Sequence, residues 1–147
     1  MEKTWIMKPS HSFLSILSAV AFVAGTAAAA DIKVIANSSV KADSVSGEEL
    51  KNVFLATKTS LSDGSHVEPV LQKGGAAHET FLKEHVGKTD SALMTYYRSL
   101  VFTGKASMPK TLGSDAEVVE YVAKTKGAIG YVGADAAVAG VKTLEVK

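Results

Sequence analysis

Apolar residues recur with the period of a β-strand at several places along the chain. Near its start, Ile32, Val34 and Ala36 occupy every second position of DIKVIANSS, which predicts a short strand that ends in a polar loop. GAIGYVG is a continuous apolar run bounded by glycines, as in a buried strand. Pro69 indicates that the strand containing it is short or lies at an edge. Strands are predicted at about 31–36, 67–72, 127–133 and 142–147.

Other segments carry apolar residues at helical spacing. Ser46 and Ser114 each precede a glutamate by three residues, the capping-box pattern that marks the start of a helix. Gly87 and Gly127 are placed to end two helices. The pattern predicts helices at about 47–56, from Gly75 to Gly87, from Thr89 to just before Gly104, and from Ser114 to Gly127. The Gly, Pro and Ser content of 103–113 predicts a loop.

Strands that alternate with helices predict a single α/β domain with a mixed or mostly parallel sheet flanked by helices. In such sheets, ligands bind where strands end and helices begin. Two loops fit that description. One is Asn37-Ser38-Ser39, after the first strand, and the other is Lys73-Gly74-Gly75-Ala76, after the second.

The beginning of the chain has the pattern of a secretory leader. Lys3 and Lys8 precede the apolar run 13–25, which is followed by a series of alanines. This run is too short, and its flanks are wrong, for a membrane-spanning helix. We expect cleavage after Ala30, so that the mature protein begins at Asp31, is periplasmic and is not inserted in the membrane.

The composition of the remaining domain, 31–147, limits the classes of function that it can have. The leader holds Lys3, Lys8 and Glu2, which leaves 14 of 16 basic and 14 of 15 acidic residues in the domain. A formally neutral domain shows no charge excess for nucleic acid. There is no cysteine, so we expect no disulfide, no thiol chemistry and no lipid anchor.

The glycine pair Gly74-Gly75 permits two interpretations. Free N–H groups at the start of a helix, together with the helix dipole, favour an anion there, and glycine lets a ligand approach the backbone closely. Alternatively, the pair only allows a strand to turn into a helix. Arg98 is the chain's single arginine and could make bidentate contact with phosphate, or could be a solvated residue on a helix face.

Motifs for catalysis, metals and cofactors are missing from the sequence. His78 and His85 are seven residues apart, about 10 Å along a helix, which is too far to share one metal ion. The sequence has no nucleophile elbow, no P-loop and no dinucleotide fingerprint. We therefore expect neither an enzyme, nor a metal site, nor a bound cofactor.

Three stretches resemble the phosphate ABC transporter substrate-binding family, whose members are type II periplasmic binding proteins. LKNVFLATKTSLSDGSHVEPV resembles the family's helix, IFLGK motif, turn and strand, and GGAAHETFL lies where the family has its phosphate loop. SDAEVVEYVAKTKGAIGYVG is similar to the family's GAIGYV ending and is the most specific of the three. The resemblance spans nearly all of 31–147, but it implies only one of the family's two lobes.

The sequence departs from the family where side chains would hold phosphate. The family supplies serine and threonine hydroxyls and an arginine, whereas the matching positions here are Gln72, Gly75, Ala76 and Ala77. The backbone N–H groups at the start of the helix remain, because they do not depend on the side chains. The family's tryptophan is replaced by Leu61 or a neighbour.

The resemblance implies an exported, phosphate-binding-like lobe without catalytic activity. The expected ligand is phosphate or a related small oxyanion, bound weakly or with a partner. The residues expected to bind it are Ser38, Ser39, Gly74, Gly75, Ala76 and Arg98. An ABC permease or a membrane sensor could be the partner, and two copies could pair to give a second wall. The alternative is an interaction or sensory module that uses the same lobe without a ligand.

Overall fold

The structure, a computed structural model, describes residues 31–147; the predicted leader 1–30 lies outside the described residues. The strands are β1 (Ile32–Ala36), β2 (Ser44–Val45), β3 (Glu68–Gln72), β4 (Lys110–Leu112), β5 (Ala128–Gly133) and β6 (Lys142–Val146). The helices are α1 (Gly47–Phe54), α2 (Ala76–Phe81), α3 (Asp90–Phe102) and α4 (Asp115–Lys124). A π-helical turn, Leu82–Val86, continues α2 without a break.

The strands form one mixed sheet in the order β2-β6-β1-β5-β3-β4. β3 runs parallel to both of its neighbours, β4 and β5, whereas β1 runs antiparallel to both β5 and β6. The expected α/β class with a mixed sheet is confirmed. The loop predicted at 103–113 ends in β4, and the predicted order also omitted β2. Strands of three and two residues are too short to show a period of two.

Helices cover both faces of the sheet. On one face, α1, α2 and α3 enclose an aromatic core in which the Phe81 ring stacks on Tyr131, with centroids 3.9 Å apart, and meets Phe54 edge-on at 4.6 Å. On the other face, α4 packs Val118 and Val122 against the sheet.

Gly130 allows close packing between α4 and β5. A Cβ atom at this position would lie 3.0 Å from a methyl group of Val118, so a larger residue would push the helix away from the strand. The two faces of β5 are therefore buried under different helices, as expected for a continuous apolar strand.

Both capping serines act as the sequence predicts, but their glutamates do not complete the usual box. Ser46 Oγ accepts the N–H of Glu49, and Ser114 Oγ accepts the N–H of Glu117. The Glu49 carboxylate instead accepts from the backbone N–H and the hydroxyl of Ser62, which lies in the loop before β3. A buried carboxylate thus attaches that loop to α1.

Candidate ligand-binding cavity

A cavity of about 500 Å³ opens at the end of the sheet where β3 and β5 finish. The two strands are parallel, so their carboxyl ends lie side by side. The starts of α2 and α4 meet there, which is the usual arrangement of a ligand site in an α/β sheet. The lining residues are Asp31, Gln72, Gly75, Ala76, Ala77, Ser114, Asp115, Gly133, Ala134, Asp135 and Ala136.

Gly75 makes the sharp turn from β3 into α2. Its φ of 101° lies in a region that glycine enters without steric cost, and the residue is the N-cap of the helix. No side chain caps α2, so the first N–H groups of the helix remain available at the cavity. Ala76 and Ala77 add no side-chain donor. Donation from this wall is therefore by the backbone alone.

Asp115 forms part of the opposite wall and is already bound by the protein. Its Oδ1 accepts from Gln72 Nε2 at 2.7 Å, and its Oδ2 accepts from the N–H of Gly133 at 3.2 Å. Gln72 Nε2 also donates to the backbone oxygen of Tyr131 at 2.9 Å. The side-chain amide of Gln72 is thus engaged within the protein.

A buried chain of hydrogen bonds continues from Gln72 away from the cavity. The N–H of Gln72 donates to the Tyr131 hydroxyl at 3.0 Å, and that hydroxyl is bonded to Nδ1 of the buried His78. His78 Nε2 is 2.7 Å from Asp90 Oδ1. A carboxylate only accepts, so Nε2 carries the proton in neutral His78, and Tyr131 donates to Nδ1. Burial raises the pKa of Tyr131, which keeps the donor in place.

The charged side chains that line the cavity are acidic. Asp31, Asp115 and Asp135 line it, and none of the residues in 31–147 that form its walls is lysine or arginine. The backbone donors at the helix starts favour an anion, while the carboxylates repel one. The arrangement can hold a small polar molecule, but it lacks the cationic side chains of a strong anion site.

The residues singled out from the sequence fall in different places. Gly75 and Ala76 line the cavity, and Gly74 immediately precedes them. Arg98 lies exposed on α3 and does not line the cavity, which fits the solvated alternative. The sequence marks Gln72, a cavity residue, only as a departure from the family, and no sequence pattern indicates Asp115.

Ser38 and Ser39 lie at the opposite end of the sheet. β1 runs antiparallel to β5, so the loop after β1 is beside the start of β5. Ser39 Oγ accepts the N–H of Gly127 at 3.0 Å, and the neighbouring Asn37 donates to the oxygen of Val122, near the end of α4, at 2.7 Å. The structure therefore does not bring these serines together with Gly75.

Comparison with known proteins relates this fold to lobes of phosphate receptors. No protein-family model matches the sequence, and no curated protein matches it significantly. Among solved structures, an ABC-type phosphate transport receptor from Vibrio cholerae aligns with a TM-score of 0.60 and 12% identity over 80% of this chain and 46% of that one. PstS from Borrelia burgdorferi aligns with a TM-score of 0.60 and 14% identity over 80% and 47%.

A third structure, from Clostridium perfringens and containing bound phosphate, aligns with a TM-score of 0.60 and 16% identity over 80% of this chain and 45% of that one. The chain thus has the fold of one lobe of these proteins and spans a little under half of their length. The predicted resemblance to the phosphate ABC transporter substrate-binding family is confirmed at the level of fold.

Two further features concern residues 31–147 only. None of the helices in this part is long and apolar enough to cross a membrane. No three His, Asp or Glu side chains in the described domain are arranged to hold a metal ion.

Proposed function

We propose that this protein is an exported solute-binding lobe whose cavity holds phosphate or a related small oxyanion. The observation that supports the proposal is the position of the cavity. It lies at the free N–H groups of Gly75–Ala77 in a fold shared with phosphate receptors. The bound molecule would be held, not transformed. Transport through an ABC permease, or signalling through a membrane sensor, would follow from such binding.

Binding by this lobe alone should be weak. The amide of Gln72 is engaged by Asp115 and Tyr131, and three carboxylates line the cavity. A pocket that encloses its ligand also needs a second wall. We propose that a partner, either a membrane protein or a second copy of this chain, supplies that wall.

A second candidate function is a periplasmic interaction module that binds no ligand. The acidic lining favours it, because carboxylates at the cavity oppose an anion. The two functions differ in one measurable respect: whether an oxyanion binds to the isolated protein.

Substitutions at Ala76 test oxyanion binding. Ala76 is exposed at the start of α2. Ala76→Ser should strengthen phosphate binding by roughly 0.5–3 kcal/mol if its hydroxyl reaches the anion. Ala76→Asp should weaken it, since a fourth carboxylate repels the ligand. Titration calorimetry with phosphate and sulfate at low salt gives the affinities.

Ala92, in the first turn of α3 and outside the cavity, provides the matched control. Ala92→Ser and Ala92→Asp should leave the affinity unchanged. If neither the parent nor the Ala76→Ser variant binds an anion, oxyanion binding is wrong and the interaction module is favoured.

Export is tested separately by intact-mass measurement of the periplasmic fraction. We expect a chain that begins at Asp31, within about two residues, because the small residues before it form the expected cleavage site. Full-length protein retained in the membrane fraction would contradict export of a soluble domain.

A further inference from the structure

A second cavity, also of about 500 Å³, lies beside the first half of β3, far from the end of the sheet just described. It exists because β4 is short. β4 pairs with β3 only at Val70–Gln72, so Glu68 and Pro69 have no partner strand on that side. The irregular segment 104–109 forms the outer wall there instead.

The floor and the rim of this second cavity differ in chemistry. Val67, Val70 and Tyr97 are buried and form an apolar floor. At the rim are the basic side chains of His66, Lys105 and Lys110, against one carboxylate, that of Glu68. An apolar pocket with a few convergent polar groups is typical of small-molecule sites. The rim favours a negative charge.

Three exposed apolar side chains lie close in sequence to the outer wall of this cavity, and one of them lines it. Within residues 31–147, the large apolar side chains that are exposed are Val101, Phe102 and Met108, with exposed fractions of 44%, 91% and 46%. All three fall in the eight residues that lead from α3 into the outer wall, and Met108 lines the cavity. Met108 therefore adds an exposed apolar contact to the outer wall.

Ala56, one of the lining residues, ends α1 with a φ of 57°. The N–H groups of Ala56 and Thr57 donate to the backbone oxygens of Val53 and Asn52, which are the hydrogen bonds of a Schellman cap. The wall of the cavity at this point is therefore the capped end of a helix.

We propose that the second cavity binds a small amphiphilic anion, a molecule with an apolar or aromatic body and one carboxylate or sulfonate group. The body would lie against the apolar floor and Met108. The acidic group would lie at Lys105 and Lys110. Lys110 is already placed at the rim, with its Nζ over the Tyr121 ring, 5.7 Å from the ring centre. The site and the class of ligand both differ from those of the oxyanion proposal.

Decanoate is a suitable probe, with decyltrimethylammonium as the control for charge. Each is titrated below its micelle concentration into the exported protein, by calorimetry and by NMR of the backbone amides. We expect decanoate to bind with a stoichiometry of one and at least tenfold more tightly than the cationic probe. It should shift the amides of 105–108 and Lys110 and not those of 75–77.

A matched pair of lysines tests the rim. Lys110→Glu should weaken decanoate binding about tenfold or more. Lys88→Glu should leave decanoate binding unchanged. It makes the same charge change at a lysine that lies outside the cavity, with its Nζ 5.4 Å from the centre of the Tyr96 ring. Met108→Asp should also weaken binding, while thermal unfolding checks that the variants remain folded.

Several outcomes would overturn the proposal. Equal affinity for the two probes would leave only non-specific apolar adsorption. Amide shifts confined to 75–77 would move binding to the first cavity. Dimerisation that increases with protein concentration, is abolished by Phe102→Asp and is unaffected by decanoate would also overturn it. The occupant of the second cavity would then be a second copy of the chain. Absence of binding would also refute the proposal.

Discussion

Replacing Ile129 with aspartate should lower the free energy of unfolding by about 3–5 kcal/mol, enough to unfold many domains of this size. Ile129 is fully buried in the middle of the sheet, opposite Ala36 of β1 and Pro69 of β3. Its side chain belongs to the aromatic core beneath α1, α2 and α3. A carboxylate there would lose its hydration without gaining a partner.

Urea unfolding followed by circular dichroism measures this effect, and Thr143→Asp is the control. Thr143 is an exposed residue of β6 in the same sheet, so its substitution tests an aspartate in a strand without burial. We expect that control to cost less than about 1 kcal/mol. Equal midpoints for Ile129→Asp and the parent would show that β5 is not a buried central strand.

Tyr131→Phe should cost about 2–6 kcal/mol although it removes a single oxygen atom. The Tyr131 hydroxyl accepts from the Gln72 N–H and is bonded to His78 Nδ1, and both groups are buried. Without the hydroxyl, a buried donor and a buried acceptor each lose their partner, at about 1–3 kcal/mol apiece.

Tyr97→Phe provides the comparison. Tyr97 is equally buried, but its hydroxyl makes one bond, to the Phe54 oxygen at 2.5 Å. That substitution should therefore cost about half as much. If both variants unfold at the same urea concentration, the hydrogen-bond chain through His78 does not contribute as described.

The sequence predicts local structure here far better than it predicts which loops meet. Ser46, Ser114 and Gly87 identify helix ends because capping and left-handed turns depend on residues close in the chain. Strand direction depends on distant pairing. Nothing within DIKVIA indicates that β1 runs antiparallel to β5, and this direction separates Ser39 from Gly75.

The hydrogen bonds around the first cavity cannot be predicted from the sequence for the same reason. Gln72 is 43 residues from Asp115 and 59 from Tyr131, and no local pattern connects them. The glycine turn at Gly75 could be predicted because it lies between a strand and a helix. The acidic lining could not, since its carboxylates come from three separate segments of the chain.

The position of Asp31 affects how this protein should be labelled. Asp31 lines the first cavity, and its backbone oxygen is fixed by the N–H of Ala134 at 2.9 Å. Any affinity tag fused immediately before this residue would stand at the cavity entrance and could compete with a ligand. At the other terminus, Lys147 is bonded to Gly47 and Val45 beside β2, at the far edge of the sheet. Purification tags are therefore better placed after Lys147. Under the proposed cleavage after Ala30, a fluorophore on the α-amine of Asp31 would report occupancy of the cavity.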